Sequence, residues 1–116
     1  MSDTQMEGRE VYFIVVKFET LPEWTDRWMD LVAGFTAATR AEPGNLFFEW
    51  SRSVDDANQY VLIEAFKDDA AEAHVTSEHF KKAQADLPQY VEETPLIRNV
   101  LMEGDHWDRL GEFEVG

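Results

Sequence analysis

Three strand-like segments constrain this chain more than any other feature. Residues 11–16 read VYFIVV, 60–63 read YVLI and 45–48 read NLFF, so apolar residues run through consecutive positions. Successive strand side chains point to opposite faces, so a sheet with one wet face alternates apolar and polar residues. These segments do not alternate, and both faces of their sheet are expected to be covered. Helices folded from the same chain can serve one face. A second copy of the chain is the economical cover for the other.

The order of elements fits that expectation. The β-branched and aromatic run VYFIVVKFE (11–19) reads as a strand. Residues 21–42 read as a helix, with Pro22 in its first turn and Trp24, Trp28, Leu31, Val32, Phe35 and Ala38 on one face. Pro43-Gly44 ends it. Residues 45–54 and 59–66 form two further strands joined by the turn DDAN, an antiparallel hairpin. Asp68 or Asp69 is expected to cap a short helix, with Glu72 completing a capping box. Ser77 caps another helix, on which Phe80, Ala83 and Leu87 share a face, and LPQY breaks it. TPLIRNVLME (94–103) is the fourth strand. The order β-α-β-β-α-β predicts an α+β, ferredoxin-like split βαβ fold: a four-stranded antiparallel sheet with helices on one face. Residues 1–9 are expected to be a frayed start, 10–103 the domain, and 104–116 an acidic tail. That tail carries Trp107, Leu110 and Phe113, which are expected to pack on a partner subunit.

Composition narrows the function. The net charge of −14 repels nucleic acid and anionic membrane surfaces, because binding to either relies on Lys and Arg. No apolar run approaches the length of a membrane span, and MSDTQMEGRE lacks the apolar region of a signal peptide, so a cytoplasmic protein is expected. The absence of cysteine excludes disulfides and thiolate metal sites. Neither GxGxxG nor GxxxxGK occurs, and no HExxH. His74 and His79 are five positions apart, a spacing that does not put both on one helical face. The expectation is therefore no metal and no nucleotide or flavin cofactor.

Few residues remain that could carry chemistry. His74 lies with Ala70 and Ala73 on the face that should pack on the sheet. It is either a core histidine bonded to a backbone carbonyl or a general base. Glu64 sits inside the apolar strand VLIEAF. Burying a carboxylate there is costly unless it is paired or protonated. Its partner is either Arg52 or Arg98 on a neighbouring strand, or His74, which it would then orient. His79 follows the Ser77 cap at the margin of the apolar stripe. Phe48, Trp50, Phe66 and Phe80 serve either as core or as the walls of a flat aromatic pocket.

Taken together, AEPGNLFFEW and YVLIEAFKDDAAEAHVTSEHF resemble the antibiotic biosynthesis monooxygenase (ABM) domain family of dimeric α/β barrels. The shared pattern is Pro43-Gly44, then Glu64-Ala65-Phe66, Asp68-Asp69, Ala73-His74 and Ser77-Glu78-His79-Phe80, within residues 10–102. Phe66 stands where the family commonly has Trp. The haem-degrading branch has Trp near the position of His74 and an iron-ligating His where this chain has Gln84, so haem degradation is not implied. The resemblance implies a homodimer with sheets packed face to face and a pocket in each subunit between sheet and helices. It also implies a cofactor-independent oxygenase acting with O2 on an electron-rich phenol or quinol. His74 and Glu64 would be catalytic, with Trp50, Phe48, Phe66, His79 and Phe80 around the substrate. Another branch suggests one alternative, an isomerase of a small phosphorylated sugar using the same His/Glu pair; the rival from a different class is a non-catalytic small-molecule-binding dimer.

Overall fold

A computed structural model describes residues 10–116; the reading of residues 1–9 lies outside them. The strands are β1 (Glu10–Glu19), β2 (Asn45–Arg52), β3 (Gln59–Lys67) and β4 (Leu96–Glu103). They form one sheet in the order β2-β3-β1-β4, and every neighbouring pair is antiparallel. This is the predicted ferredoxin-like sheet. Among the described residues, no helix is long and apolar enough to cross a membrane.

The first helical segment departs from one continuous helix. It opens as a 3-10 helix, Pro22–Arg27, followed by the single turn α1 (Trp28–Leu31) and then α2 (Ala33–Arg40). Trp28 and Val32 are fully buried, but the buried stripe also runs through Thr25, Thr36 and Thr39. Two of these threonines are buried because each has partners. Thr25 Oγ1 shares a 2.7 Å hydrogen bond with Thr20 Oγ1, and Thr36 Oγ1 accepts from Trp50 Nε1 at 2.9 Å. A satisfied hydroxyl can be buried at little net cost, so an apolar stripe alone understated the core.

The second helical segment is also broken. Asp68–Ala70 is 3-10, α3 is Ala71–Val75, and α4 is Glu78–Asp86. Neither aspartate caps a helix through its side chain, so the expected capping box does not form. Ser77 does cap α4, accepting from the Phe80 N–H at 3.1 Å. A 3-10 turn, Leu87–Tyr90, follows.

The helices cover β2, β3 and β1, where Val16, Phe48 and Leu62 form one buried cluster and Trp28, Val32 and Tyr60 another. Every residue of β4 is exposed, including Leu96, Ile97, Val100, Leu101 and Met102. On the open face, the Trp107 ring lies tilted against Phe47 of its own chain, 5.5 Å between ring centres, and stays 65% exposed; Leu110 and Phe113 are exposed too.

Candidate active site

One close approach builds the site. Gly44 lies against the start of the second helical segment, where an added Cβ would come within 2.0 Å of the Ala70 Cβ. Only glycine fits there. The contact is held by the Lys67 N–H donating to the Gly44 carbonyl at 2.9 Å. The end of α2 is fixed as well, because Arg40 donates through Nε and Nη2 to the Phe48 carbonyl at 3.0 and 2.8 Å. The turn between α2 and β2 is thereby pressed onto α3, and it carries Glu42 to the His74 ring.

Glu42 is the residue that sequence reasoning missed. Its Oε2 lies 2.8 Å from His74 Nδ1 and 2.5 Å from His79 Nε2. A carboxylate only accepts, so each of these ring nitrogens carries a proton and donates. In neutral His74 this leaves Nε2 unprotonated. The two histidines converge despite their spacing because the chain breaks between α3 and α4, at Thr76-Ser77.

Glu64 stands on the other side of the His74 ring, with Oε1 3.9 Å from Nε2. That is too long for a direct hydrogen bond. Neither candidate arginine reaches it. Arg52 pairs with Asp26 at 3.3 Å and donates to the Ala57 carbonyl. Arg98 lies opposite Val15, on the other face of the sheet from Glu64, which lies opposite Ile14. Glu64 is 6% exposed, and its Oε1 is buried without a hydrogen-bond partner. Burial first, and the nearby Glu42 charge second, push its carboxyl up to about 7.

A cavity of about 420 Å³ opens beside these groups. Val16, Phe18, Phe35, Leu62, Phe80 and Leu87 supply much of its apolar wall, while Glu64, His74, Gln84 and Thr94 supply polar groups. Phe80 lines it as expected. Phe48, Trp50 and Phe66 do not: Phe48 and Trp50 pack in the core, and the Phe66 ring lies 4.5 Å from the His74 ring as its support. His79 does not line it either, since it binds Glu42 from the His74 Nδ1 side.

The description "Antibiotic biosynthesis monooxygenase" belongs to the family model that matches residues 11–86. The chain belongs to the antibiotic biosynthesis monooxygenase family. Solved structures carry the same fold. A "Putative antibiotic biosynthesis monooxygenase" from Nitrosomonas europaea aligns with a TM-score of 0.72 and 24% identity, over 84% of this chain and 91% of that one. A conserved protein from Methanosarcina mazei Go1 gives 0.75 and 18%, over 83% and 96%. A Pseudomonas aeruginosa protein gives 0.72 and 21%, over 82% and 96%. No curated protein matches the chain.

Proposed function

We propose that this ABM-family protein is a cofactor-independent monooxygenase of an electron-rich phenol or quinol, with His74 as general base. The observation that carries the reading is the His74 ring: its Nδ1 is anchored on Glu42 while the ring lines the apolar cavity. A neutral imidazole held in that tautomer presents a lone pair on Nε2. Glu42 takes over the positioning role first expected of Glu64.

The substrate hydroxyl gives its proton to His74 Nε2. The resulting aryloxide forms a C–O bond to O2, and the peroxide loses water. One oxygen atom stays on the ring as a carbonyl, the ring C–H proton is lost, and the other oxygen leaves as water. The substrate's own electrons reduce O2. Glu64, protonated up to about pH 7, is placed to hand a proton to the departing oxygen. The apolar wall excludes water and holds the ring near the base. Among the described residues, no Lys or Arg lines the cavity, which disfavours a phosphorylated sugar as substrate.

The active unit in this reading is a homodimer. Its support is the exposed apolar surface of β4 and of the tail, Phe113 being 77% exposed. A second copy laid against the open face would cover both, with the tail beyond Trp107 crossing to the partner.

Oxygen uptake with a panel of hydroquinones and polycyclic phenols tests the activity. Consumption of O2 that depends on substrate and is lost in His74→Ala supports the proposal. Ligand binding without O2 uptake across the panel would instead make the protein a binding module.

A further inference from the structure

Behind the His74 ring, away from the cavity, lies a set of groups that the proposed reaction uses only in part. Glu42 Oε2, His74 Nδ1 and His79 Nε2 all lie within 4.8 Å of one another. Two carboxylate oxygens near them, Glu42 Oε1 and Glu64 Oε1, are buried without a hydrogen-bond partner. Among the described residues, the ionic partners within 4.0 Å of these two glutamates are the two histidines alone. Two buried carboxyl groups therefore face two imidazole rings, and among the described residues no Lys or Arg pairs with either acid. Buried polar groups left unpaired are uncommon in folded proteins, and each one calls for a partner.

We propose that Glu42, His74 and His79 form a binding site for a divalent transition-metal ion of the Zn2+ class. Two imidazole nitrogens and a carboxylate are the donors such an ion takes. Glu42 can supply both oxygens, which would complete four donors and give the orphaned Oε1 a partner. Loading exchanges the tautomer of each ring without changing its charge. The ion occupies His74 Nδ1 and His79 Nε2, and the displaced protons sit on the opposite nitrogens. His74 Nε2 then carries an N–H that faces Glu64 Oε1, 3.9 Å away. A metal-bound histidine whose second nitrogen donates to a carboxylate is a recurrent arrangement, and Glu64 occupies that place here. The donors stand at hydrogen-bonding distances, so they must spread by less than about an ångström to reach Zn–N and Zn–O bonds of about 2.0–2.2 Å. His79 can give that room, because its side chain is 24% exposed.

A consequence follows that rests on the proposed function. The nitrogen that accepts the substrate proton in the metal-free protein becomes a donor in the loaded one. The ion would hold the enzyme off.

The test begins with the full chain stripped by a chelator and titrated with Zn2+ against a chromophoric competitor, with calorimetry giving the stoichiometry. The expected result is one ion per chain. His79→Ala should weaken binding at least about 100-fold, and Glu64→Gln, which is not a ligand, by about 10–100-fold. His106→Ala should leave binding unchanged, since that exposed histidine sits between Asp105 and Asp108 on the tail. Circular dichroism checks that each variant is folded. Absence of stoichiometric binding, or wild-type affinity in folded His79→Ala, would overturn the site. So would loss of binding in His106→Ala. None of these readouts needs a substrate, so the site can fail while the oxygenase reading stands, and the reverse. Equal turnover with and without bound ion would overturn the switch.

Discussion

Glu64→Gln gives the sharpest test of the electrostatics. In the folded protein the Glu64 carboxyl holds its proton up to about pH 7, against an ordinary value of 4.5. That difference corresponds to about 3 kcal/mol. The sign is that of an acid whose folded state keeps the proton longer than the unfolded chain. Below about pH 4.5 both states are protonated and the group costs nothing. As pH rises the unfolded chain ionises first, so stability falls between about pH 4.5 and pH 7 and then levels off. Glutamine has no proton to lose. The stability difference between wild type and Glu64→Gln should therefore move by about 3 kcal/mol in the variant's favour between about pH 4 and pH 8. A carboxamide left as unpartnered as the acid costs about 1–3 kcal/mol, but that offset is the same at every pH. Urea denaturation of both proteins measures it, at one protein concentration and with chelator present. The relative melting temperature should shift by about 10 °C over the same range. Glu42→Gln removes the smaller cause, so in that background the transition should move to lower pH. A stability difference that is flat in pH would refute the reasoning, because it would mean that Glu64 ionises in the fold as it does in water.

The other predictions concern activity and assembly. His74→Ala should lose most of the roughly 10²–10⁴-fold that a positioned base supplies while remaining folded, as read by O2 uptake and near-ultraviolet dichroism. Glu42→Gln should lower kcat with little change in KM, because it frees the His74 tautomer without altering the cavity wall; an unchanged kcat would remove Glu42 from the positioning role. Light scattering at micromolar concentration should return the mass of a dimer, and a monomer would count against the second-copy cover. Truncation after Gly104 should weaken the dimer or lower the melting temperature and leave ligand binding per folded dimer intact; loss of ligand binding alone would make the tail a lid.

The sheet was legible because strand physics is local. Alternation, or its absence in VYFIVV, reports how many faces are covered, and the Pro43-Gly44 and DDAN turns mark where the strands begin and end. The threonine half of the first helical stripe was not legible, because Thr25 and Thr36 owe their burial to partners on other elements, Thr20 and Trp50. A hydropathy pattern carries no record of a distant hydrogen-bond partner.

The same limit hid the centre of the site. His74 and Glu64 stood out because each is polar among apolar neighbours, a contrast visible within a few residues. Glu42 has no such contrast. It sits at a helix end before Pro-Gly, where an acidic residue is ordinary, and it meets His74 and His79 across 32 and 37 residues of chain. The histidines misled in a related way: five positions on a continuous helix are about 140° apart, and only the break before Ser77 turns them toward one point. What could have located Glu42 is the pair of small residues that lets two backbones touch. A glycine after the proline would otherwise be read as a helix stop and nothing more. Here its missing Cβ admits Ala70, and that contact sets the distance from Glu42 to the His74 ring. Gly44→Ala should therefore act on the site from outside it. The added methyl would force the turn off α3 and lengthen the Glu42–His74 bond, so kcat should fall although Gly44 does not line the cavity.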